Sequence, residues 1–293
     1  MNNNLHDIVK EKNIHPRSYT RNKKVYIIED DNKKYVVKLN TNNYDIYKYL
    51  SSREFYHYPE NYNLENDNYD LSLYIDNTIT SSKQKIDDYI ELLGKLHHKT
   101  AYYRQIDLDE IKEEFEKIKK QIIETREYYE KMNDLIDHET FLSPSMYLLV
   151  RNISLFYRLL DYAINTLNTW YIKIQDDKKI EVALLHNNID LSHLIINNDK
   201  YLISWDNACF DEPINDLEKL IRRYFGEISL QEILGRYQKH HKLTDMQIEL
   251  LLIRLSIPNI IKLTNDTYHD TININSEIML LRRVYDYIIT IKK

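Results

Sequence analysis

Two apolar runs, VYIIE at Val25–Glu29 and YVVKL at Tyr35–Leu39, flank polar residues within KVYIIEDDNKKYVVKLN, Lys24 to Asn40. β-Branched and aromatic residues broken by the turn formers EDDNKK predict a β-hairpin. The spacing in NNYDIYKYLSS, Asn42 to Ser52, suits a short helix, and NYDLSLYIDN, Asn68 to Asn77, suits a further strand before the polar connector ITSSKQ. A small β-rich domain over residues 1–77 is the expectation.

Beyond residue 77 the apolar period lengthens to that of helices. In QKIDDYIELLGKLHHK, Ile86, Tyr89, Ile90, Leu93 and Leu96 recur at i, i+3 and i+4, the stripe of a core-facing helix. DLDEIKEEFEKIKKQIIETREYYEKMNDLI carries Ile111, Phe115, Ile118 and Ile122 on one stripe and interleaved charges elsewhere, so one side of this long helix faces water. SPSMYLLVRNISLFYRLLDYAINTLNTWYIKI opens with a capping Ser143 and with Pro144, then is apolar on most sides. That pattern predicts a buried helix, the spine of a larger helical domain over residues 78–293. Within it, LLHNNIDLSHLIINNDKYLISWDNACFDEP, residues 184–213, reads as short strands joined by a loop and a turn. Helices near Asn215–Phe225, Ser229–His241, Asp245–Ser256 and Ser276–Lys292 close the chain.

Composition narrows the function classes. A chain of 293 residues that is 43% hydrophobic can bury a proper core. With 40 basic and 46 acidic residues, net charge −6 and no long basic run, no nucleic-acid partner is expected. The apolar runs are too short to span a bilayer, and MNNNLHDIVKEK lacks the apolar centre of a signal peptide, so a cytoplasmic location without a membrane span is expected. The single Cys209 rules out an internal disulfide and a cysteine-based metal site; it is expected to be a buried structural thiol.

The segment 184–213 also has the element order of a phosphotransfer loop, which needs a carboxylate for the substrate hydroxyl, an amide five residues on for a metal, and an Asp on a following strand for the same metal. HNNIDLSHL, LISWDNACFDEP and INDLEKLIRRY resemble the aminoglycoside phosphotransferase and choline kinase family, and within it the spore-coat CotS-type proteins. The resemblance implies an α+β, two-lobed protein-kinase-like fold, with a small β-rich N-lobe and a larger helical C-lobe.

Carried over by position, His186 keeps the family's loop histidine. Asn188 stands at the catalytic Asp, His193 at the metal-binding Asn and Ser204 at the metal-binding Asp. Trp205, Asp206, Pro213, Asp216 and Leu217 keep framework letters, with a structural role implied for Asp216. YVVKL places Lys38 where the family's strand lysine pairs with nucleotide phosphates and a helix carboxylate, for which Asp45 or Glu54 are the candidates. No glycine precedes Gly94, so a glycine-rich phosphate loop is missing.

An amide is no general base, and a neutral serine cannot balance magnesium as a carboxylate does. The leading expectation is a pseudokinase, a binding or scaffold protein with a protein or small-molecule partner. The alternative is an ATP-dependent small-molecule kinase, with ATP and magnesium as cofactors and with Asp190 or Asp206 as relocated metal ligands. The third is a structural coat or interaction protein associated with spores, which the tyrosine content of 26 residues also fits.

Overall fold

Along three neighbouring strands every second side chain is apolar and turned to one side: Tyr26 and Ile28, then Tyr35, Val37 and Leu39, then Tyr69 and Leu71. Residues between them face the other way, and this alternation sets the inner architecture. The computed structural model describes residues 5–22, 25–31, 33–39, 41–65, 67–264 and 266–291. Lys24, Asn32 and Asn40 of the expected hairpin and Lys292 of the expected last helix lie outside them.

In chain order the elements are α1 (Leu5–Glu11), β1 (Ser18–Asn22), β2 (Val25–Glu29), β3 (Lys34–Leu39), α2 (Tyr44–Ser52), β4 (Tyr69–Leu73), α3 (Ser82–Thr100), β5 (Tyr102–Gln105), α4 (Leu108–Asp137) and α5 (Pro144–Ile174). There follow β6 (Lys179–Leu185), β7 (Leu194–Ile196), β8 (Lys200–Leu202), β9 (Cys209–Asp211), α6 (Ile214–Tyr224), α7 (Leu230–Tyr237), α8 (Asp245–Leu255) and α9 (Thr267–Ile291). They fall into two compact units. The first comprises residues 1–101 and 183–211, and the second residues 102–182 and 212–293.

The first unit holds an antiparallel sheet in the order β1-β2-β3-β4, registered so that Lys38 lies beside Val25 on one side and Asp70 on the other. One face packs against α1 through Ile8, Val9 and Ile14, with Ile28, Val37, Tyr69 and Leu71 completing the cluster. The unit continues past Asn77 to take in α3 and the whole of the loop with β7, β8 and β9. Here the end of β6 pairs with β9 and β7 pairs with β8.

In the second unit α5 is the hub, contacted by α4, α8 and α9. Its stripe of Phe156, Leu159, Leu160, Ala163, Leu167 and Trp170 is fully enclosed, while Tyr147, Arg151, Asp161 and Ile172 on its other side are exposed, so the helix expected to be buried is buried along one stripe. Ser143 caps α5 by accepting from Met146 N at 3.3 Å, ahead of Pro144 in the first turn. Thr244 and Gln247 form a reciprocal capping box at α8, as Ser229 and Glu232 do at α7.

Three features depart from expectation. α1 and β1 carry too little periodicity to be read: α1 has seven residues, and every residue of β1 is exposed. α9 begins at Thr267 rather than Ser276, through a stretch rich in Thr, Ile and Asn that disfavours helix. Its start is secured by Asp266, which accepts from His269 N at 3.1 Å, and by burial of Ile274. Cys209 is exposed rather than buried, because all three residues of β9 lie at the surface.

Ile28 is inaccessible in the α1-backed cluster. Ile28→Ala should therefore destabilise the first unit by about 3 kcal/mol, from lost apolar transfer plus the cavity left behind. A lowered urea midpoint at unchanged m-value is the expected reading.

Candidate functional site

The second face of the sheet is where chemistry collects. Val25, Ile27, Val36, Lys38, Asp70 and Ser72 alternate with the core residues and so point together into a cavity of about 640 Å³. Leu73 to Ile75 form one wall, Tyr47 and Pro59 another, and His193, Ile195, Ile203 and Ser204 close it from the loop side.

Lys38 Nζ forms an ion pair and hydrogen bond with Asp206 Oδ2 inside the first unit, both side chains being about a quarter exposed (27% and 26%). Thr41 Oγ1 donates to Asp206 Oδ1 at 3.1 Å and Asn43 Nδ2 does so at 3.4 Å. Burial alone would raise the Asp206 pKa; the Lys38 hydrogen bond and charge, aided by Asn43 and Thr41, outweigh it and hold the carboxyl below its ordinary value.

Next to this pair sits a second carboxylate, Asp70. Asn61 and Asn63 donate to its Oδ1 at 2.8 and 3.0 Å, while Asn43 and Tyr47 donate to its Oδ2 at 2.8 and 3.3 Å. Four donors fill the acceptor sites of an ionised carboxylate. Burial pushes the Asp70 pKa up against the three amides, and the Asp206 charge adds to the rise. Tyr47 stays a donor, since burial and then the Asp70 charge push its pKa well up.

The loop is tied by neutral groups. His186 is inaccessible; its Nε2 donates to Ile203 O at 2.9 Å, and its Nδ1 accepts from Tyr89 OH at 3.1 Å. Asn188 Nδ2 donates to Ser204 O at 3.1 Å, and Asn188 O accepts from His193 Nδ1 at 2.9 Å. Asn188, His193 and Ser204 therefore form one hydrogen-bonded chain. Ser204 is held in the left-handed region at φ 65° and ψ 58°, a conformation that costs a non-glycine residue about 1 kcal/mol. Such strain persists only where the surroundings over-determine it, here through Asn188 on Ser204 O and His193 O accepting from Ile203 N at 3.0 Å.

The β7–β8 hairpin is fastened to α3 through Lys200, whose Nζ lies 2.8 Å from Asp88 Oδ1 and 2.6 Å from Glu91 Oε2. His57 Nδ1 adds a 3.0 Å bond to Lys200 O. This fixes the segment that carries Ile195 and Ile203 against the cavity.

Of the residues singled out from sequence, Lys38, His193 and Ser204 line the cavity, and His186 and Asn188 brace it from behind. Asp206 is the carboxylate that Lys38 reaches. Asp45 is exposed in the first turn of α2, and Glu54, at positive φ, pairs with Lys99 at 3.1 Å, so neither is the Lys38 partner here. Asp190 caps the turn at Leu191–His193 by accepting from Ser192 N at 2.7 Å. Asp216 is fully buried in the first turn of α6 in the second unit. Sequence reasoning missed Asp70 and its amides. The visible signal was the run NYNLENDNYD, but the pairing of Asp70 with Lys38 depends on strand register.

No protein-family model matches the chain, and no curated protein matches it. Solved structures do. An aminoglycoside phosphotransferase from Alicyclobacillus acidocaldarius is similar with a TM-score of 0.66 at 10% identity, over 93% of this chain and 92% of its own. The AMP-bound spectinomycin phosphotransferase APH(9)-Ia gives 0.56 at 14% identity, over 96% and 98%. Its complex with ADP and spectinomycin gives 0.52 at 13%, over 96% and 97%. At these identities the likeness establishes the fold: mixed α+β, protein-kinase-like, of the aminoglycoside phosphotransferase type, with a small antiparallel sheet followed by a larger helical part. No helix among the described residues is long and apolar enough to cross a membrane.

The hairpin fastening carries a pH signature. Hydrogen bonds from Lys200 and then Lys95 hold the Glu91 carboxyl down to about 2. A depressed carboxyl contributes stability that is full above its unfolded value near 4.5 and is lost as pH falls toward the folded value. Wild type should therefore exceed Glu91→Gln in thermal stability at neutral pH, and the gap should close between about pH 4.5 and pH 2. A gap that stays constant over that window would show that Glu91 acts by packing alone.

Proposed function

We propose that this chain is a pseudokinase, a binding or scaffold protein that keeps a kinase-type cavity and has given up phosphoryl transfer. One observation carries the reading: Asn188, His193 and Ser204 are joined to one another by hydrogen bonds, with no carboxylate among them. Phosphoryl transfer is almost wholly positioning and electrostatic stabilisation around divalent metal and phosphate. The Asn188 amide cannot take up a hydroxyl proton, and its Nδ2 is committed to Ser204 O. The His193 Nδ1–H is committed to Asn188 O.

The donor set does not fit a magnesium nucleotide. Magnesium favours carboxylate and phosphate oxygens in near-octahedral geometry. Here both candidate carboxylates are already engaged, Asp206 by Lys38, Thr41 and Asn43 and Asp190 by Ser192 N. The same engagement weighs against relocated metal ligands, the alternative in which the chain remains an ATP-dependent kinase. The cavity itself, apolar over most of its wall, supports the binding half of the proposal.

Thermal-shift titration with ATP and ADP, with and without magnesium or manganese, on wild type and Lys38→Ala, tests this together with an assay of ADP release. A ligand that binds only the folded state raises the melting temperature. The expected result is no metal-dependent shift and no ADP above the protein-free rate. A metal-dependent shift that Lys38→Ala abolishes, with ADP release above background, would overturn the proposal.

A further inference from the structure

The charges at the polar end of the cavity do not balance. Lys38 contributes one positive charge, and Asp206 and Asp70 contribute two negative ones, all within the first unit. Lys38 is spent on Asp206. Asp70 receives all four of its hydrogen bonds from the neutral donors Asn43, Asn61, Asn63 and Tyr47. One partly buried carboxylate is therefore solvated by amides and a phenol, and its charge is not cancelled.

The loop side of the same cavity is an acceptor. Because a carbonyl can only accept, the 2.9 Å contact between His193 Nδ1 and Asn188 O places the imidazole proton on Nδ1. In the neutral imidazole, Nε2 of this cavity-lining side chain then carries a lone pair. The apolar part of the wall includes Val25, Ile27, Val36, Ile75, Ile195 and Ile203, with Asn22, Ser72 and Ser204 as further polar lining.

We infer that this cavity takes an organic cation, a protonated amine on a largely apolar body, with the apolar part under the sheet and the ammonium toward the His193 and Asp70 end. The inference rests on the binding-protein reading above and names its ligand class. A nucleotide polyphosphate carries the opposite charge into a site that already holds a surplus carboxylate. An ammonium instead supplies donors to a lone pair and the missing positive charge, while an apolar body of modest size fills about 640 Å³.

Charge-inverted probes on one scaffold separate the possibilities: tryptamine against indole-3-acetate, and phenethylamine against phenylacetate, by thermal shift and calorimetry. The amines should raise the melting temperature saturably and the carboxylates should not. Lys38→Met deletes the local cation and should tighten amine binding about tenfold, a direction opposite to that for any phosphate ligand. Ser204→Asp, which adds a carboxylate on the cavity wall at a position whose left-handed backbone Asp tolerates, should tighten it as well and serves if Lys38→Met fails to fold. Equal or stronger binding of the carboxylates, weakened amine binding in the folded variants, or no shift from any amine at millimolar concentration would each overturn the inference. ADP release by the wild type would instead overturn the binding-protein reading, so the two failures are read by different measurements.

Discussion

The Lys38–Asp206 ion pair joins the open face of the sheet to the loop that follows β8, and the cavity exists because both ends are held. β3 presents Lys38 with the register that sets it beside Asp70. The turn at Trp205–Asn207 presents Asp206 once Ser204 adopts its left-handed conformation. A pair that is only a quarter exposed is less screened than a surface pair, and removing one partner leaves the other charge poorly compensated. Thr41 and Asn43 satisfy the remaining lone pairs of Asp206, so the contact is a small network and not an isolated bridge.

A second dependence runs through aromatic packing behind the loop. His186 meets the Trp205 ring edge-on at 4.9 Å between centroids, and Trp205 in turn meets Phe55 at 6.3 Å. Trp205 Nε1 donates to Leu202 O at 3.0 Å, which satisfies the one polar atom of a fully enclosed side chain. The framework letters of this segment are thus explained by burial, independently of any catalytic role. The shape of this loop is therefore held by ring packing and backbone hydrogen bonds.

Much of this was legible in the sequence. The hairpin alternation, the α3 stripe, the Ser143–Pro144 start of α5 and the place of Lys38 on the second hairpin strand all rest on local rules, and local rules survive into the fold, whereas S-W-D, expected on a strand, is a turn at Trp205–Asn207 entered through left-handed Ser204. The partner of Lys38 was not legible, because Asp45 is close in sequence but exposed, whereas Asp206 lies 168 residues away and is delivered by tertiary packing. Asp70 was hidden for a related reason: the period of two tells which face it occupies only after the strand is known to start at Tyr69. Cys209 misled because a lone thiol is usually buried, and nothing local shows that β9 is an exposed three-residue strand.

The amide, imidazole and hydroxyl side chains at the loop share one electrostatic logic. A cluster of carboxylates is stable beside a divalent metal, and without one it carries mutual repulsion and a desolvation cost that only protonation or substitution relieves. With an amide at 188, an imidazole at 193 and a hydroxyl at 204, the backbone here is held by hydrogen bonds to Ser204 O and Asn188 O that require no metal. Asp206 and Asp70 each have their own partners, Asp206 with Lys38 and Asp70 with three amides and a phenol. The site is thereby self-sufficient in hydrogen bonds while retaining one uncancelled negative charge, and that residual charge, more than the outline of the cavity, is what a ligand would have to answer.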